Sequence, residues 1–174
     1  MMSPLEQTHV STQVYRVYIK AAPQAVWDAI TKPEWTARYG YGGRMEYDLR
    51  SGGAIRGYTS EAMKQGGAAQ GMPVPDLAIE GEVVEADPPH KLVLKWHMVM
   101  DAATTADAFT RLTYEISQTQ EGVAKLTLTH DLQGAPAAAS ILAGEFEAQG
   151  AGGGWAWVLS DLKSLLETGK GFMG

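Results

Sequence analysis

The chain has 174 residues, with 20 acidic against 14 basic side chains, a formal charge of −6 and no cysteine. That length suits one domain able to bury a core without staples; the missing cysteines exclude disulfides, thiol catalysis and thiolate metal sites, and fit a reducing cytoplasm as the expected location. No run of Lys and Arg offers a footprint for nucleic acid, and no segment approaches the roughly 20 apolar residues that span a bilayer, so neither nucleic acid nor membrane insertion is expected.

In chain order, residues 1–12 read as a flexible polar tail and 13–174 as a single domain. From Gln13 to Ala21, Tyr15, Val17 and Ile19 alternate with Val14, Arg16, Tyr18 and Lys20, the period of a strand with one strongly apolar face. Pro23 stands where a helix can begin, because its missing N–H costs nothing in the first turn; Ala25, Val26, Ala29 and Ile30 give that helix an apolar side. Pro33 ends it, and Glu34 to Tyr39 predict a second short helix before Gly40, Gly42 and Gly43. Met45, Tyr47 and Leu49 then alternate as a strand, and Ser51-Gly52-Gly53 offers a hairpin turn into Ala54–Thr59. Residues 61–76 have no period and predict a long flexible loop.

A second pair spans Leu77–Ala86 and Lys91–Met100 around Asp87-Pro88-Pro89, with Leu92, Leu94, Trp96, Met98 and Met100 on one face and Lys95 and His97 on the solvated one. Residues 101–108 read as another loop. In the last pair, Leu112, Tyr114 and Ile116 face the same way as Ala124, Leu126, Leu128 and His130, across a turn at Gln120-Glu121-Gly122. The Ala- and Gly-rich stretch 131–154, with Ile141, Leu142 and Phe146, predicts a short helix within a mobile lid. Trp155, Val158, Leu159, Leu162, Leu165 and Leu166 then form one helical stripe, leaving Asp161, Lys163, Ser164 and Glu167 outside it, and Gly169 closes the helix. Trp157 sits about 200° around from Trp155, either under a neighbouring loop or as a partner-facing anchor.

Strand, two short helices, six strands and a long helix make an α+β fold with a single antiparallel sheet. Only the terminal helix is long enough to cover the sheet's apolar face, so the sheet must curve around it. Where a curved sheet meets a straight rod, a cavity can remain.

This order resembles the START-like (SRPBCC, helix-grip) superfamily, and more narrowly the branch related to the C-terminal domain of the activator of the heat shock protein 90 ATPase. The resemblance is carried by Ala22-Pro23-Gln24-Ala25-Val26-Trp27 with Ile30-Thr31, by Pro33-Glu34-Trp35, and by Glu46-Tyr47-Asp48-Leu49-Arg50-Ser51-Gly52-Gly53, similar to the family's Asp-x-Arg-x-Gly-Gly turn. It continues through Gly81–Glu85, Pro88–Leu92, Leu126–His130, and Gly154-Trp155 with Leu159, Leu162 and Leu166. It implies a seven-stranded antiparallel sheet gripping the C-terminal helix (START/Bet v 1-like), with a hydrophobic pocket between them. It implies no shared reaction, since members include lipid and small-molecule carriers, co-chaperone domains and polyketide cyclases. The chain departs from the branch at Ala37-Arg38-Tyr39-Gly40-Tyr41, where a second tryptophan or other bulky group is usual.

His130 shares a face with Leu126 and Leu128 near a strand end. It is either a base or polar contact for a ligand, or a histidine capping the strand and bonded to a loop. No histidine pair has metal-ligand spacing with a carboxylate, so no metal, cofactor or catalytic residue is assigned. Asp48 and Arg50 read as a salt bridge supporting the hairpin, with Arg50 or Arg56 as an anchor for an anionic ligand the alternative; Gly150–Gly154 reads as a hinge, because no P-loop residues follow. The candidate pocket residues are Trp35, Tyr39, Tyr47, Trp96, Met98, Tyr114, His130, Trp155, Leu159 and Leu162. The expected function is non-catalytic binding of a hydrophobic or lipid-like small molecule between sheet and helix. The alternatives are a stress-related co-chaperone module with a chaperone partner, and a cyclase- or hydrolase-like enzyme. Oligomeric state is not legible.

Overall fold

The computed structural model describes residues 11–150 and 152–173; His9 and most of the predicted tail lie outside them. Thr12 already belongs to the first strand, β1 (Thr12–Ile19). Helix α1 (Pro23–Thr31) starts on Pro23 and buries Val26, Trp27, Ala29 and Ile30. Lys32, held extended by the following proline, separates it from the single turn α2 (Pro33–Thr36). The remaining strands are β2 (Arg44–Tyr47), β3 (Ala54–Tyr58), β4 (Leu77–Asp87), β5 (Lys91–Met98), β6 (Thr110–Gln120) and β7 (Val123–Asp131). All pair antiparallel in one seven-stranded sheet ordered β1-β7-β6-β5-β4-β3-β2.

Strands β1 and β2 are neighbours in sequence and occupy opposite edges of the sheet. Helices α1 and α2 therefore bridge the open side of a curved sheet, with α1 against β6 and β7 and α2 against β2. Register irregularities at Gly57/Tyr58, Val83/Glu85 and Gln118/Gln120 add the local twist that such curvature needs. Gly57 has a second role: a Cβ there would run into Met45 Sδ and Ile79, which meet across it on the inner face.

Helix α6 (Gly154–Thr168) is the rod inside the grip, packed along β1, and Gly169 in the left-handed region closes it by donating to Leu165 O at 2.8 Å. It buries Trp155, Leu159, Leu162 and Leu165. Helix α5 (Pro136–Leu142) precedes it, with the Asp107 carboxylate accepting from Ala138 N at 2.9 Å. Phe146 lies beyond α5 and is exposed.

Three expectations need correction. Residues 61–76 are not all loop: α3 (Glu61–Ala69) forms behind Ser60, whose hydroxyl accepts from Met63 N. Its exposed surface and paired glycines hide any stripe; Gly67 is needed because Met72 and Val74 fold back against it. Residues 101–108 contain α4 (Ala102–Ala106), started by a reciprocal capping box between Asp101 and Thr104. That helix overturns the solvated placement of His97. Strand alternation does direct it to the outer face, but α4 and Phe109 cover it there, leaving it 6 % exposed. Its Nδ1 faces Glu80 Oε1 at 3.0 Å and its Nε2 faces Thr105 O at 3.1 Å.

Candidate functional site

The inner face of the sheet and the stripe of α6 meet in one apolar core. Trp96, Met98, Tyr114, Trp155, Leu159 and Leu162 belong to it, and Trp35, Tyr39 and Tyr47 pack on its margin half-buried. His130 lies within the same layer, with no exposed surface.

At one end of this interior the polar groups are saturated. Trp155 Nε1 has only a hydrogen to give and donates to His130 Nδ1 at 3.1 Å, so that nitrogen is the acceptor and Nε2 carries the ring's proton. Nε2 donates to Thr110 Oγ1 at 2.8 Å, and Thr110 Oγ1 donates to Trp96 O at 3.0 Å. The chain runs in one direction from helix to strand, and Trp96 stands edge-on to the imidazole with centroids 4.9 Å apart. Burial pushes the His130 pKa down to about 3, opposed weakly by Asp131. The ring is neutral, with neither nitrogen free for a substrate proton. It bolts the first turn of α6 to the sheet, a role that strand alternation alone did not distinguish from a pocket mouth.

Around α1 and α2 the interior is different. Tyr39 Oη donates to Ala29 O at 2.9 Å. Burial raises its pKa, with Tyr47 and Asp161 adding to the effect; burial raises Tyr47, and burial, Tyr47 and Tyr39 together raise Tyr114. The three phenols, from three separate segments, thus converge closely enough to oppose one another's ionisation. The Trp35 ring, packed on the same core, stands 4.7 Å from the Arg38 guanidinium.

Sequence reasoning missed the clamp on the segment after α2. Asp161 is 1 % exposed and accepts from Gly40 N at 2.8 Å and Phe172 N at 2.6 Å, while Trp157 Nε1 donates to Gly40 O at 3.3 Å. Gly40, at φ +66°, is held on both sides of its backbone by α6. Tyr41 Oη accepts from Gly154 N at 2.9 Å. Trp157 and Asp161 are four residues apart and so share a second helix face; that spacing was the available signal. Trp157 lies half-buried under this segment and against Phe172.

Two depressions, of about 380 and 320 Å³, lie on the outer face of the sheet, on either side of Lys95 and Phe109. Asp48 and Arg50 pair at 2.8 Å with both side chains largely exposed, as befits a turn support. Among the described residues no group of three or more His, Asp or Glu side chains could hold a metal ion, and no helix is long and apolar enough to cross a membrane.

A curved seven-stranded antiparallel sheet closed around a C-terminal helix, with two short helices behind its first strand, defines a helix-grip protein of the α+β class. The chain belongs to the Activator of Hsp90 ATPase homolog 1-like family, whose model matches residues 20–167. A protein of Rhodobacter sphaeroides is similar in structure at 22% identity and TM-score 0.61, over 90% of this chain and 92% of that one. An HSP90 activator from Plasmodium falciparum is similar at 24% identity and TM-score 0.51, over 70% and 73%. DynU16, of the dynemicin biosynthetic locus, is similar at 20% identity and TM-score 0.61, with 92% of this chain matching 49% of its length. No curated protein matches the chain.

Proposed function

We propose that this protein is a non-catalytic binder of an apolar small molecule, held between the sheet and α6. The supporting observation is that the interior is not evenly sealed. Tyr114 and Trp155 keep 8 % exposure and Met98 9 %, while Tyr47, Ile79 and Met100, also against the core, are only half-buried. Apolar surface of that kind gains roughly 25 cal/mol for each Å² that a ligand removes from water. The similarity to DynU16, from a biosynthetic locus, is in keeping with a small-molecule partner. The enzymatic alternative loses its base, since both His130 nitrogens are engaged within the protein. Native mass spectrometry and titration with the neutral fluorophore N-phenyl-1-naphthylamine test the reading: saturable binding with blue-shifted emission is expected, and its absence would sink it.

One observation favours a second reading, a co-chaperone-like interaction module. Val14 and Tyr18, each 53 % exposed, stand on one face of the edge strand β1, and a structural relative is an HSP90 activator. If that reading holds, the chain raises the ATPase rate of a heat shock protein 90 in a coupled assay, and a Val14→Ser/Tyr18→Ser variant loses the effect. An unchanged rate on adding the unsubstituted chain would remove it.

A further inference from the structure

Within the small-molecule reading, the tyrosines narrow the kind of molecule. The hydroxyl of Tyr39 is occupied by Ala29 O. Those of Tyr47 and Tyr114 are not: neither makes a hydrogen bond to any described residue, yet no fully enclosed side-chain nitrogen or oxygen lacks a partner. Among the described residues, then, neither hydroxyl has a partner, although Tyr114 as a whole is only 8 % exposed. A polar group without a partner in an apolar site is unfavourable, and an oxygen-bearing guest would supply the missing bond.

Charge limits the guest further. Following the register from β1 to β2, among the described residues no Lys or Arg stands on the inner face of the sheet; the residues there are apolar or tyrosine except for Gln118, exposed towards the end of β6, and for Gln13, Thr110 and His130. Gln13 is spent on Ala139 O, and the other two bond each other. The charged group that the interior does hold near the tyrosines is Asp161, which opposes ionisation of Tyr39 and would oppose a second anion equally. A ligand carboxylate would lose its hydration and meet no cation on the inner face of the sheet.

We infer that the interior is a site for an uncharged apolar molecule carrying an oxygen that hydrogen-bonds the Tyr47 and Tyr114 hydroxyls, and that it discriminates against the carboxylate of a fatty acid. The inference rests on the small-molecule reading, and one experiment separates their failures. The full chain is loaded with N-phenyl-1-naphthylamine and titrated at pH 8 with flavone, a neutral aromatic ketone, or with laurate. Flavone should displace the reporter at concentrations at least about tenfold below laurate. The Tyr47→Phe/Tyr114→Phe variant should keep the far-ultraviolet circular dichroism of the unsubstituted chain, while its flavone affinity, read against its own reporter affinity, falls about tenfold. Tyr47→Phe alone, with a smaller loss, serves if the pair disturbs folding. Equal displacement by laurate, or flavone binding unaffected in the variants, would overturn the inference and leave the small-molecule reading standing. No reporter binding by the unsubstituted chain would remove both.

Discussion

The two ends of the interior hold similar side chains in opposite states. Around His130, every polar atom has its partner, and the network of Trp155, His130, Thr110 and the Trp96 carbonyl needs nothing from outside. Around Tyr47, half-buried, and Tyr114, 8 % exposed, the phenol hydroxyls have no hydrogen-bond partner among the described residues. The difference separates groups that hold the fold from groups available to something else, and neither burial nor an aromatic ring tells them apart. Substitutions should therefore act on stability at one end and on recognition at the other.

The largest effect is expected for His130→Ala. It strands Trp155 Nε1, takes the partner from Thr110 Oγ1 and leaves a cavity in a fully buried layer, costing about 3–5 kcal/mol in urea denaturation. A loss below about 1 kcal/mol would mean that the network is not the bolt described.

Acid should attack the same end. The His130 pKa is about 3 in the fold and 6.5 in the free residue, so the unfolded chain binds the proton first. The stabilisation from the neutral buried ring is fully present above pH 6.5 and is lost as pH falls from 6.5 towards 3, at up to about 1.4 kcal/mol per unit. Protonation would also set an Nδ1–H against the Trp155 Nε1–H. Denaturant midpoints at pH 7.5 and 4.5 should differ by about 2–3 kcal/mol, with most of that difference absent in His130→Ala. Thr110→Val comes next: it keeps the side chain's shape but leaves the Nε2–H of His130 unpaired, and should cost about 1–3 kcal/mol with probe binding unchanged.

Much of the fold was legible because alternation and helical spacing survive in the sequence. Strands β6 and β7 and the stripe of α6 read off directly from Leu112, Tyr114 and Ile116, from Leu126 and Leu128, and from Leu159, Leu162 and Leu165. The failures share a cause: each involves an element whose cover comes from a distant segment. His97 obeys the strand period and is still buried, because α4 lies over the outer face. Asp161 lies off the apolar stripe and is still buried, because Gly40 and Phe172 bring their N–H groups to it. Helix α3 was missed for the opposite reason: with no residue buried, it writes no apolar period. At the candidate site, residue type identified the aromatic lining, but not which hydroxyls are spent. Hydrogen-bond direction depends on distant partners, 121 residues apart for Gly40 and Asp161, and no local pattern encodes it.

The smallest effect is the sharpest test of the contrast. Removing a buried tyrosine hydroxyl usually destabilises a protein by the hydrogen bond that it made, about 1 kcal/mol, but a hydroxyl with no partner among the described residues has nothing of that kind to lose there. Tyr114→Phe and Tyr47→Phe should each leave the urea midpoint within about 0.5 kcal/mol of the unsubstituted chain, and an increase in stability is as consistent with the geometry as no change. Tyr39→Phe is the internal control: it removes the bond to Ala29 O and should cost about 1 kcal/mol from an equally deep position. If all three variants lost stability alike, the Tyr47 and Tyr114 hydroxyls would be bonded within the protein in solution. The open end of the grip would then be as sealed as the end that His130 bolts.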